Sequence, residues 1–344
     1  MKSLRFPLIV AVVFIHSFDN NLLHFGSHPW FANVQYLFSQ VFARIAVPTF
    51  YFVSGYLFFF NIDNWTQEIY RQKLQRRLTS LFIPYIFWIS SAVLIFFVAQ
   101  QIPALRPFFS GVNKRVEDYA ILDFLQAFWV VKPSISPILY QFWFIRDLIV
   151  IILLSPLIYY FLKYLKFFGL FILFAIWFTA PPYLIAGLSF PCLFFFSLGA
   201  FFSIYKINAL ESFYQIRQVI YIYPFIAFLD FMVRGFYKNQ YIHNTGVALG
   251  MISFINLMYW LTVKKEIKPI EILASASFFV FAFHEPWLSL TKKSIAYLVR
   301  PNSEAAFLLI YFTTPILVIL LSLAVYVGLK KTFATFLRII SGGR

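Results

Sequence analysis

The sequence predicts an all-α integral membrane protein, a single bundle of about ten transmembrane helices forming one domain over residues 1–344. Three observations carry that prediction. Hydrophobic residues make up 61% of the chain and charged residues only 12%, where a soluble domain carries about 25% charged residues. The mean hydropathy is +0.79, so the chain lacks the polar surface to face water all round and lipid must be its solvent. Apolar runs of about 20 residues, the length that crosses the hydrocarbon core, recur from one end of the chain to the other. The 48 Phe, 21 Tyr and 8 Trp fit the same picture, since aromatic rings fill wide bundle cores and anchor at the membrane interface.

The spans fall near 4–22, 38–60, 80–100, 140–162, 165–181, 187–205, 217–235, 243–262, 274–292 and 305–329. The first run, Phe6 to Phe18, meets His16 and Asp19 without a small-residue cleavage site, so it reads as a retained helix. The fifth and sixth are separated only by the turn around Pro181-Pro182. Orientation follows from Lys and Arg in the connecting segments. With the N-terminus inside, the inside segments carry Lys2 and Arg5, Arg71 to Arg77, Lys163 and Lys166, Lys206 and Arg217, Lys264 to Lys268, and Lys330 to Arg344. That is well over half of the basic residues, which predicts both termini on the cytoplasmic side. The net charge of +15 therefore reads as a topology signal and not as a nucleic-acid surface. The lone Cys192 excludes an internal disulfide and any multi-cysteine metal site.

Ionisable groups inside spans are costly, and each is a candidate for function. Arg5 and His16 lie almost three helical turns apart on one face of the first span, separated by about 16 Å along the axis. A cation at the inner mouth suits the phosphates of an acyl donor. A buried neutral imidazole deeper in suits removal of a proton from an acceptor hydroxyl, with Asp19 near enough in sequence to orient it. The alternative is that Arg5 is an inside flank and His16 a satisfied buried polar group.

In the second span, Pro48 and Gly55 predict a distorted helix around Ser54, which then either faces a substrate or serves close helix packing. The basic segment Arg71-Gln72-Lys73-Leu74-Gln75-Arg76-Arg77 offers Lys73, Arg76 and Arg77 as phosphate ligands; it serves equally as a topology signal or a contact for anionic lipid. Arg146 and Asp147, adjacent in the fourth span after Trp143-Phe144, do not face each other on a helix. They are expected to pair elsewhere, with Arg44, Asp230 or Glu285, in a structural role. Asp230 and Arg234 have the i,i+4 spacing of a pair on one helix face. His284 and Glu285, in Phe281-Ala282-Phe283-His284-Glu285-Pro286, form a second candidate acid/base or acceptor-binding site in the ninth span. His24, His28 and His243 fall in or near outside segments and receive no role. The outside segment 101–139 is the longest, with a short interfacial helix expected over Asp118 to Trp129. It reads as a lid or as a plain connector. Walker, GxSxG, HExxH and aspartate-rich metal motifs are absent from the sequence.

Taken in order, Arg5-x10-His16, Ser54-Gly55-Tyr56, Arg77 seven residues before Pro84-Tyr85, Trp143-Phe144 and Phe281-Ala282-Phe283-His284 resemble the signature of the acyltransferase 3 family of membrane acyltransferases. The resemblance runs from about residue 5 to 290. It implies a fold of about ten helices in the bacterial inner membrane. It also implies transfer of an acyl group, usually acetyl, from cytoplasmic acetyl-CoA to a hydroxyl on an envelope carbohydrate or glycolipid. In that case acetyl-CoA is a substrate and no cofactor or metal is held. The resemblance makes His16 the catalytic histidine with Arg5 essential beside it. It links Lys73, Arg76 and Arg77 to the donor, and leaves Ser54, Trp143, His284 and Glu285 for the substrate pocket. Two departures stand out. The family's Arg-x-x-Arg pair is here Lys73-x-x-Arg76, or Arg77 with Ser80 in the second place, and Phe281 stands where Tyr is usual. No fused extracytoplasmic hydrolase-like domain is expected. A transporter or flippase for a lipid-linked sugar is the main rival, using the same buried charges as a path. A polysaccharide polymerase is expected to have a larger outside loop.

Overall fold

The computed structural model describes residues 2–18, 29–109, 114–181, 183–234 and 239–343. It is 81% helical, and its one sheet among the described residues is a two-stranded hairpin. Five helices are long and apolar enough to cross a membrane, and a sixth span is added if one sharply bent pair counts as one. The chain is therefore an all-α, multi-pass membrane protein.

Helix α1 is Lys2–His16; the predicted end of the span at 19–22, with Asp19, and also His24 and His28 lie outside the described residues. The second predicted span starts earlier than its apolar run. It opens with α2 (Pro29–Tyr36), passes through a π-turn (Leu37–Phe42) and a 3-10 turn (Ala43–Ile45), and continues as α3 (Ala46–Phe59). The irregular backbone immediately precedes Pro48, which has no N–H to return to the carbonyl four residues back.

The basic segment predicted as a loop is instead helical. Thr66 caps α4 (Gln67–Arg77) by accepting the Ile69 N–H at 3.2 Å. A π-turn joins α4 to α5 (Ile83–Gln101) in one run of 35 residues. In the outside segment, α6 (Ile121–Ala127) is the expected interfacial helix; Asp123 in its first turn accepts the Ala120 N–H at 2.7 Å.

The fourth and fifth predicted spans form α7 (Trp143–Leu153) and α8 (Ser155–Thr179), with α8 interrupted at Lys166, where φ is +50°. The sixth predicted span is shorter than its apolar run. A hairpin of β1 (Tyr183–Ile185) and β2 (Leu188–Ser189), turned at Gly187 with φ +99°, begins before the predicted span and takes up its first three residues. Then α9 (Phe190–Ile204) turns by 104° into α10 (Ala209–Gln215). The rest follow as α11 (Val219–Met232), α12 (Gln240–Tyr259), α13 (Glu271–Val299), α14 (Glu304–Thr332) and α15 (Ala334–Ile340). Inside α13 the backbone leaves helical geometry at Glu285 (φ −105°, ψ 137°), one residue before Pro286.

The tightest contact in the bundle is between α3 and α9. A Cβ on Gly55 would lie 2.0 Å from the Phe196 carbonyl oxygen, and one on Gly199 2.0 Å from that of Phe52. The two glycines let the backbones touch, which is how small residues pack helices in lipid. Contacts between elements sort into two ends. At one end Lys2 meets Glu271 at 3.4 Å, Lys206 meets Asp63 at 2.5 Å, and the Trp88 indole donates to the Ile340 carbonyl at 3.0 Å. At the other, Glu304 accepts the Phe31 N–H at 3.1 Å and Lys292 donates to the Ser17 carbonyl at 3.2 Å. The segments predicted to lie inside meet one another, and so do those predicted outside.

Candidate functional site

Two cavities lie end to end in the bundle. The larger, about 380 Å³, is lined by His16, Arg44, Trp143, Trp177, His243 and Asn244 among others. The smaller, about 100 Å³, is lined by Arg5, Ser54, Arg77 and Ser277 within an apolar wall. Phe50, Phe144 and Phe281 border both. The ring of Phe144 lies 5.7 Å from that of Phe50 and 6.1 Å from that of Phe281, so these three phenylalanines form the partition. Helix α1 runs past both cavities, with Arg5 on the small one and His16 on the large one. This is the separation expected from their shared helix face.

His16 is held from two sides. The Tyr140 ring meets it edge-on at 4.8 Å, and the His284 ring stacks on it at 5.4 Å with the planes 25° apart. His284 is fully buried, and its Nδ1 lies 2.6 Å from the Phe281 carbonyl. A carbonyl only accepts, so Nδ1 carries the proton and Nε2 is left as the free lone pair. That Nε2 is buried with no hydrogen-bond partner among the described residues. Glu285 accepts from the Tyr140 hydroxyl at 2.8 Å and from Ser289 at 3.1 Å. The break in α13 at Glu285 turns this carboxylate toward Tyr140. His284 and Glu285 were expected to line the substrate pocket. Neither borders the large cavity; they stand behind His16 and Tyr140. Tyr140, which the sequence reading passed over, is the link between them.

The three donor-side candidates separate in the structure. Arg77 lines the small cavity opposite Arg5. Lys73 is half-buried, with its ammonium 5.9 Å from the Phe58 ring. Arg76 is exposed and lines neither cavity. Helical spacing accounts for the difference, because consecutive positions are turned about 100° from each other. Ser54 borders the small cavity and Trp143 the large one.

Arg146 and Asp147 do not reach Arg44, Asp230 or Glu285; they pair with each other. Both are buried, with Arg146 Nη2 3.1 Å from Asp147 Oδ1. Arg146 also donates from Nη1 to the carbonyls of Trp129 at 2.6 Å and Ile135 at 2.7 Å. An arginine side chain is long enough to bend back past its neighbour, which the rule for helix faces leaves out of account. The pair fastens the segment after α6 to the bundle, and Tyr85 assists by donating to the Phe128 carbonyl. The expected partnership of Asp230 with Arg234 also gives way. Asp230 instead holds His243 Nδ1 at 2.9 Å, and Arg234 donates to Asn33. Cys192 is buried against the Asp147 carbonyl, in a packing role.

His243 is the second residue that the sequence reading missed. It lies in the first turn of α12, not in a loop, and Gln240, His243, Asn244 and Val247 all line the large cavity. Their spacing, i, i+3, i+4 and i+7, is one face of a helix and is legible once the helix is known to begin at Gln240.

A family model described as an acyltransferase domain matches residues 1–327. No curated protein and no solved structure matches the chain.

Proposed function

The chain belongs to the acyltransferase 3 family and is a multi-pass membrane acyltransferase, and on that premise we propose that it transfers an acetyl group from cytoplasmic acetyl-CoA to a hydroxyl of a cell-envelope carbohydrate or glycolipid. The protein then works in the bacterial inner membrane with both termini in the cytoplasm, and His16 is the general base. The supporting observation is that His16 borders one cavity and Arg5 and Arg77 another, and that the two cavities share Phe50, Phe144 and Phe281 in their walls.

The donor enters at the small cavity. The guanidinium groups of Arg5 and Arg77 suit its phosphates, since planar paired donors match phosphate oxygens, and Lys73 adds positive charge nearby. The thin arm of the donor extends along α1 toward His16, a distance of about 16 Å. Its thioester carbonyl then stands in the large cavity beside the acceptor. His16 removes the proton from the acceptor hydroxyl as the oxygen attacks that carbonyl. The C–S bond breaks, and the sulfur leaves as the thiol, protonated by the imidazolium. Tyr140 and His284 keep the imidazole in line during the transfer. Acetyl-CoA and the acceptor are the substrates; no bound cofactor is required.

The test is a comparison of envelope glycans from deletion and wild-type cells by mass spectrometry. The reading predicts that the deletion strain loses an increment of about 42 Da, the net gain when an acetyl group replaces a hydroxyl hydrogen, and that the wild-type gene restores it but a His16→Ala gene does not. Identical glycan masses in all three strains contradict it.

A further inference from the structure

The large cavity bordered by His16 also has a polar wall. It is the face of α12 that carries Gln240, His243 and Asn244. Each of these side chains is pinned from behind. The Gln240 amide nitrogen donates to the carbonyls of Thr179 at 3.2 Å and Phe178 at 3.4 Å. The Asn244 amide nitrogen donates to the Phe178 carbonyl at 3.3 Å. These carbonyls belong to the last turn of α8, where helix geometry leaves them without partners of their own. His243 Nδ1 is held at 2.9 Å by Asp230, whose side chain is only 2% exposed while that of His243 is 32% exposed.

This pinning fixes what the wall can offer. With both amide nitrogens engaged, Gln240 and Asn244 retain their oxygens, which only accept. With a carboxylate on Nδ1, His243 keeps its proton there and offers the Nε2 lone pair. Three hydrogen-bond acceptors therefore lie on one helix stripe, and Trp143 and Trp177 supply flat apolar surface in the same cavity. Such a wall suits a molecule with several hydroxyl donors and an apolar ring face. It is poorly suited to a simple fatty alcohol, which has one hydroxyl.

We propose that the Gln240–His243–Asn244 face of α12, backed by Asp230, is the acceptor subsite, and that it takes a polyhydroxylated ring by accepting hydrogen bonds from hydroxyls other than the one that reacts. This rests on the acyl-transfer reading of His16. The buried Asp230 is a positioning residue that acts through His243.

The test uses the purified full-length protein in lipid nanodiscs, with acetyl-CoA as donor and a panel of methyl hexosides as acceptors. Acceptor KM, donor KM and direct hexoside binding by saturation-transfer NMR are all measured. His243→Ala raises acceptor KM by about tenfold or more, the loss of roughly one hydrogen bond, and leaves donor KM within about twofold. Asn244→Ala acts in the same direction. His243→Gln, whose amide oxygen can stand where Nε2 was, recovers part of the loss; Asp230→Asn falls between wild type and His243→Ala. A His243→Ala protein that melts like wild type and binds every hexoside equally well overturns the proposal. So does a shift in donor KM as large as that in acceptor KM, and so does a wild-type protein that binds none of the panel. Hexoside binding that depends on His243, in a protein that releases no CoA thiol, would sink the transfer reading and keep the subsite.

Discussion

His16 and His284 stack as two imidazoles 5.4 Å apart, one on the cavity wall and one fully buried behind it. They reach this position from opposite ends of the sequence, on α1 and on α13 at the break that Glu285 makes in it. His284 is anchored on the Phe281 carbonyl, so the orientation of the His16 ring depends on a residue buried behind it. Replacing His284 by Ala is expected to lower kcat about 10- to 100-fold through misorientation of His16, with little change in either KM. Steady-state kinetics of a variant that melts like wild type decides this. A kcat within twofold of wild type would mean that the stacking is incidental.

The two cavities assign the cations unequally. Arg5→Ala and Arg77→Ala are each expected to raise donor KM about tenfold or more, the loss of a charge-assisted hydrogen bond to phosphate. Arg76→Ala is expected to change it less than about threefold, a difference below one net hydrogen bond, because Arg76 is exposed and lines neither cavity. Equal effects at positions 76 and 77 would show that the basic helix acts as a diffuse charge and not through the small cavity.

Arg146 and Asp147 are a buried pair whose loss should be felt in stability. Arg146→Met strands a buried carboxylate and frees two loop carbonyls, with an expected cost of about 3–5 kcal/mol. Thermal melts in detergent read this as a lowered midpoint. Restoration of part of the loss by adding Asp147→Asn or Asp147→Leu is the signature of a mutual pair; additive losses would contradict it.

The short helix α6 provides a pH test. Hydrogen bonds from Lys114 at 2.6 Å and from the Ala120 N–H hold the Asp123 carboxyl below its ordinary value. Its folded-state pKa is depressed, so the stabilisation is present above the unfolded value, about 3.9, and is lost as pH falls through the folded value. Hydrogen exchange over 121–127, corrected for intrinsic rates, should lose protection only below about pH 4. Loss already complete at pH 5 would exclude this carboxylate as the cause.

Much of this arrangement was legible in the sequence. Arg5 and His16 share a face because helical periodicity demands it, and apolar length marked where most of the helices lie. The basic stretch from Arg71 to Arg77 was hidden because its low hydropathy resembles that of a loop, although a Thr66 cap precedes it. The Arg146–Asp147 contact was hidden because the reach of an arginine side chain defeats a rule based on backbone angles. Tyr140 carries no signal in a sequence with 21 tyrosines. His243 escaped because its segment reads as polar, and only the start of α12 at Gln240 shows that Gln240, His243 and Asn244 share a face. The hairpin between α8 and α9 and the 104° bend after Ile204 escaped because an apolar run by itself reads as one straight span, although Gly187 turns the hairpin and Asn208 caps the helix after the bend.

The central claim is that His16 removes the acceptor proton. Its most direct test is the rate of CoA thiol release from acetyl-CoA by the purified protein in lipid nanodiscs, wild type against His16→Ala, with folding of both checked by thermal melt. The account predicts acceptor-stimulated release by the wild type and a fall of about 10²- to 10⁴-fold in the variant, the range for loss of a general base. A folded His16→Ala protein that releases thiol at the wild-type rate would contradict it.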